Sequence, residues 1–184
     1  MLRYIAFLRA INVGGHNVTM AELRGLFEAL SLKEVESFIA SGNMIFASPS
    51  KDIKTLQRKI ENQLLRSLGY EVKAFLRTIP EVAAIAGYKP FNQSQMKSAL
   101  ALNVAFLVDP LSVEAGKSLM ALKTAMDDFH VHGREVYWLC KTKQSDSKFS
   151  NTRFEKVVNA RATWRKVNTV VRLAAKYNSE WVKR

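Results

Sequence analysis

Apolar positions along this chain switch between a period of two and a period of about 3.6 residues, and the switches mark out short strands and helices. Leu2–Arg9 alternates, with Tyr4, Ala6 and Leu8 against Ile5 and Phe7, and is apolar on both sides, which predicts a central strand. From Thr19 to Leu30 the period is helical, with Leu23, Leu26, Phe27 and Leu30 on one face and Thr19 and Glu22 placed as a capping box. Val35–Ala40 and Met44–Ala47 read as short strands around the turn tripeptide Ser41-Gly42-Asn43. Ser48-Pro49-Ser50 is expected to open a second helix. Its buried stripe is Ile53, Leu56, Ile60, Leu64 and Leu68, with Lys51, Lys54, Arg58 and Lys59 turned away. Gly69 stops it, and Glu71–Arg77 follows as a strand. The order is βαββαβ, the split arrangement of the ferredoxin-like fold.

The order partly repeats. A short helix over 80–86 and a polar loop over 87–98 join the halves, and Leu100–Val108 alternates as a strand. Asp109-Pro110 is expected to open a helix reaching about Met126. Phe129–Val131 and Glu135–Cys140 pair around His132-Gly133, and helices follow over 147–158 and 163–177. The predicted class is therefore α+β: two tandem ferredoxin-like modules, residues 1–78 and 79–184, with a C-terminal helical extension. No repeat is visible in the residues themselves, so the duplication rests on element order.

A chain of 184 residues with 48% apolar content can bury a sufficient core without metal or disulfide. Its one cysteine, Cys140, fits a reducing compartment, and no membrane span or secretion signal is evident, so the expected location is cytoplasmic. The net charge of +12 is unevenly spread. Residues 1–78 carry 11 Lys/Arg against 7 Asp/Glu, residues 79–140 carry 5 against 6, and residues 141–184 carry 12 against 3. Such a distribution fits an anionic partner, nucleic acid or a phosphorylated small molecule, and equally a solvated basic surface.

Two polar motifs could meet such a partner. The first strand's exit and the following turn share one sheet edge in this element order, which brings Arg9, Asn12, Gly14 and Gly15 beside Ser41, Gly42 and Asn43. Paired glycines can turn backbone N–H groups inward on a phosphate or carboxylate, or simply shape a loop. Read as helix, the C-terminal segment places Arg161, Arg165, Thr169, Arg172 and Lys176 in one arc, opposite Trp164, Val167, Val171 and Ala174. An Arg/Thr/Arg row suits phosphate oxygens, and is also the usual exposed face of an amphipathic helix. His130 and His132 lack a third ligand at metal spacing, Cys140 has no neighbouring base, and Asp127-Asp128 reads as a helix end. No Walker A, Gly-x-Ser-x-Gly or His-Glu-x-x-His pattern occurs, so neither metal nor cofactor is expected, and no general base stands out.

The run Tyr4-Ile5-Ala6-Phe7-Leu8-Arg9-Ala10-Ile11-Asn12-Val13-Gly14-Gly15, with Met20, Leu23 and Ile39-Ala40-Ser41-Gly42-Asn43, resembles the N-terminal signature of a bacterial family known as domain of unknown function 1697. Thr163, Arg165, Thr169, Val170, Arg172 and Leu173 resemble its C-terminal signature. Ala10 stands where the family pattern has Gly, and Lys166-Val167 where it has Asn-Trp. The resemblance implies a duplicated ferredoxin-like fold and no assigned activity. Its emphasis on polar loop and helix residues points to a site more than to packing. The functional expectation is a binder of an anionic ligand, nucleic acid or nucleotide. The alternative is a small enzyme acting on a phosphorylated or carboxylated metabolite between the two modules.

Overall fold

The computed structural model describes residues 1–39 and 42–181. They form an α+β protein with two four-stranded antiparallel sheets and associated helices. One compact unit comprises Met1–Val82 with the end of the last helix from Tyr177, and the other comprises Ala83–Lys176.

The first unit runs β1 (Leu2–Arg9), α1 (Met20–Glu28), β2 (Lys33–Ser37), β3 (Asn43–Ser48), α2 (Ile53–Leu68) and β4 (Lys73–Thr78), with strand order β2-β3-β1-β4. The two-faced apolar pattern of β1 places it inside the sheet, and Tyr4 through Leu8 are all buried. Tyr4, Ala6 and Leu8 share a core with Leu23 and Phe27 of α1 and Leu56, Ile60 and Leu64 of α2. Burying each such large side chain contributes about 1.5–3 kcal/mol, so this stripe sets the pose of both helices. Thr19 and Glu22 form the predicted capping box, and Gly69 ends α2 in the left-handed conformation.

Two boundaries move for local reasons. The cap of α2 is Asp52, whose carboxylate accepts the Thr55 N–H at 3.0 Å, and Ser48 stays in β3 instead of opening the helix. Strand β2 begins at Lys33, two residues early, because Glu34 at φ +50° lets the register shift between Lys33 and Glu36. Its predicted end at Ala40 lies outside the described residues.

The connector α3 (Ile79–Gly87) leads to the second unit: α4 (Gln93–Lys97), β5 (Ala101–Phe106), α5 (Val113–Met120), β6 (Asp127–His132), β7 (Glu135–Cys140), α6 (Asn151–Val158), β8 (Thr163–Lys166) and α7 (Val167–Trp181). The strand order is β6-β7-β5-β8, and Ala105, Val136, Trp138, Leu119, Phe154 and Val158 form its core. α4 arises inside the expected loop, where Asn92 and Gln95 make an unanticipated capping box. α5 starts at its Ser112 cap instead of Asp109-Pro110 and ends at Met120. Asp127 and Asp128 therefore begin a strand instead of ending a helix, and buried Asp127 accepts Trp138 Nε1–H at 2.8 Å and Ser147 Oγ–H at 2.9 Å.

The main correction is at the C-terminus. Residues 163–166, expected as the first turn of a helix, form β8 and pair antiparallel with Asn103–Phe106 of β5. Thr and Trp favour a pleated edge, and pairing along β5 outweighs the helical period of the residues that follow. Among the described residues no helix is long and apolar enough to cross a membrane.

Candidate functional site

The exit of β1 is an exposed loop closed by side-chain hydrogen bonds. Ala10 turns the chain at φ +58°, and buried Ile11 anchors it while its carbonyl accepts the Tyr70 hydroxyl at 2.7 Å. Asn12 then closes the loop on itself. Its Oδ1 accepts the Val18 N–H at 2.8 Å, and its Nδ2 donates to the Val18 carbonyl at 3.4 Å. Between these ends every residue from Asn12 to Asn17 is exposed. Gly14 and Gly15 lie consecutively at φ +70° and +86°, with no atom near where a Cβ would stand, so left-handed backbone is what demands glycine there.

The β2–β3 turn does lie beside this exit. Leu8 N–H donates to the Gly42 carbonyl at 2.8 Å, and a Cβ on Gly42 would meet Ile11 Cγ2 at 3.1 Å and Leu8 Cβ at 3.2 Å. Gly42 is thus required by contact as well as by its φ of +69°. Asn43 is fully buried and braces the turn, its Nδ2 donating to the Phe38 carbonyl at 3.0 Å. Arg9 is half-buried at the end of β1, opposite Lys73 of β4. Ser41 lies outside the described residues.

Of this set, Asn12 and Asn43 spend their amides on backbone groups of the loop and the turn. The exposed side chains of the loop include His16 and Asn17, which residue type alone did not single out. His16 stacks on Tyr70, with ring centroids 3.7 Å apart and planes inclined by 16°. Tyr70 is remote in sequence, and nothing near it signals the pairing. These residues open onto a groove of about 520 Å³, lined also by Val18, Glu22, Leu26 and Leu68. Burial raises the Tyr70 phenol above its ordinary pKa. The Thr19 backbone and side-chain hydrogen bonds hold the Glu22 carboxyl below its own. Glu22 therefore occupies the N-terminus of α1, where its carboxylate meets the positive end of the helix dipole.

The second motif separates into parts. Arg165 sits on β8, paired with Val104, while Thr169 and Arg172 lie on α7 with Lys176. Arg161 precedes β8 and binds Glu155 at 3.1 Å, so the five-residue arc of one helix does not exist. Arg165 Nη1 donates to Thr163 Oγ1 at 2.9 Å and to the Trp164 carbonyl at 2.8 Å, and desolvation pulls its pKa down to about 10. Arg172 is exposed and Thr169 half-buried.

Arg165 also has a counterpart. Arg77 of β4 pairs with Ile5 of β1, as Arg165 of β8 pairs with Val104 of β5, and Arg77 Nη1 likewise donates to its preceding carbonyl, that of Leu76, at 2.8 Å. The last strand of each sheet thus carries an arginine at the same register. Among the described residues no cluster of His, Cys, Asp and Glu could hold a metal ion. Tyr88 bridges the two histidines of β6, its hydroxyl 2.8 Å from His130 Nε2 and its ring stacked on His132 at 4.0 Å.

No curated protein matches the sequence. The solved structure of a conserved bacterial protein from Streptococcus pneumoniae is similar in fold, with 23% identity and a TM-score of 0.76 over 97% of this chain and 99% of that one. A family model described as protein of unknown function, DUF1697, matches residues 1–137, which include the β1 exit loop and the β2–β3 turn but not the C-terminal motif. The chain belongs to that family.

Proposed function

We propose that this protein binds an anionic ligand, a nucleotide or nucleic acid, at the β1–α1 loop of its first unit, with the basic C-terminal quarter supplying long-range attraction. The observation that carries this reading is the loop itself. Six consecutive exposed residues are closed into one loop by both polar atoms of Asn12, and its two left-handed glycines carry no side chain to keep an oxyanion from the backbone. A loop stapled this closely loses little conformational entropy when a ligand arrives, which favours binding over mere connection. The ligand-binding set is Arg9, Asn12, Gly14, Gly15, Ser41, Gly42 and Asn43. Of these, Asn12, Gly42 and Asn43 act as positioning residues. Arg172 serves the attraction from α7, Thr169 on the same helix offers a hydroxyl, and Arg165 maintains β8.

Each unit reads as a ferredoxin-like module. Support comes from the shared element order and from the matching strand orders, in which the first strand lies between the third and fourth and the second is at the edge. An affinity measurement against single-stranded oligonucleotide and nucleotide across a salt series tests the function. Log affinity should fall linearly with log salt, and an absence of binding at low salt excludes the reading.

A further inference from the structure

The groove beside the loop carries more than charge, and resting on the anion-binding reading we infer that it takes a nucleobase, with His16 as its stacking platform. His16 is exposed, and its ring lies on the half-buried Tyr70 ring, nearly parallel at 3.7 Å. Tyr70 is in turn fixed by its hydroxyl bond to the Ile11 carbonyl. The imidazole is therefore a pre-oriented flat surface backed by a second ring, and a planar heteroaromatic laid on it would continue the stack. Stacking of this kind tolerates any base, because every base has a π face.

The rest of the groove matches the two edges of such a ring. Val18, Leu26 and Leu68 supply apolar contact, while the exposed Asn17 side chain offers a donor and an acceptor for a base's hydrogen-bonding edge. At about 520 Å³ the groove has room for a base with its sugar. The attached phosphate would then reach toward the Gly14-Gly15 backbone, which directly precedes His16 in the chain. A bare phosphate or a carboxylate metabolite would use the loop and leave this groove unfilled. Free nucleotide and single-stranded nucleic acid present the same base-plus-phosphate chemistry, and the test separates them.

Four probes are titrated against the full chain and against His16→Ala and Asn17→Ala: oligoadenylate, an abasic oligomer of equal length, adenosine monophosphate and inorganic phosphate. Both side chains are exposed, so both variants are expected to fold. The expected result is that base-bearing probes bind better than abasic oligomer and phosphate, and that His16→Ala removes about tenfold or more of their affinity while leaving abasic binding unchanged. Adenosine monophosphate binding as well as the oligomer identifies a nucleotide ligand, and preference for the oligomer identifies a single strand. Abasic oligomer binding as tightly as oligoadenylate, with His16→Ala silent, overturns the base pocket but leaves the anion reading standing. If none of the four binds, both readings fall.

Discussion

Asn12 and Val18 close a six-residue reach of chain with one side chain, which accepts the Val18 N–H at 2.8 Å and donates to the Val18 carbonyl at 3.4 Å. Removing those bonds frees the loop without touching the core. Asn12→Ala should lower stability by about 1–2 kcal/mol, and hydrogen exchange should accelerate at Val13–Val18 while β1 and β3 stay protected. Unchanged exchange in the loop would mean that Asn12 does not hold it.

Ala10 occupies left-handed backbone at φ +58°, a conformation that favours glycine. A Cβ in that conformation costs about 1–2 kcal/mol. Ala10→Gly should therefore stabilise the protein by roughly 1 kcal/mol, seen as a higher urea midpoint at unchanged slope.

The three loop and turn glycines should respond differently to alanine. At Gly14 and Gly15 only backbone strain is added, about 1 kcal/mol each. At Gly42 the new methyl also presses on Ile11 and Leu8, so Gly42→Ala should destabilise measurably more than either. Equal losses at all three positions would contradict the close approach.

The elements that period and capping could mark were legible in the residues. β1, α1 with its Thr19–Glu22 box, and the Gly69 stop each follow from local rules. What escaped depended on partners distant in the chain. Thr163-Trp164-Arg165-Lys166 carries the helical phase of the segment that follows, and only pairing with β5 makes it a strand. The same holds for the site. The Gly-Gly loop and the turn beside it were visible as motifs, but His16 gains its meaning from Tyr70 and Asn12 from Val18. Neither relationship has a spacing that a reader of residues could look for.

His130 supplies a pH signature in the second unit. Burial, with His132 and Lys123 nearby, holds it below its ordinary value of 6.5 against the opposing pull of Asp128. The unfolded chain takes up that proton first. Stability is thus intact above the unfolded value and declines as pH falls through it toward the lowered folded value. Urea midpoints between about pH 7.5 and pH 5.5 should show this decline, and His130→Gln should flatten it.

An anion held at the β1–α1 loop should respond both to salt and to the loop's closure. The direct measurement is the affinity of a short single-stranded oligonucleotide over a salt series, for the natural chain and for Asn12→Ala. The prediction is a linear fall of log affinity with log salt, and weaker binding by Asn12→Ala at every salt concentration. Binding that ignores both salt and the loop variant would contradict it.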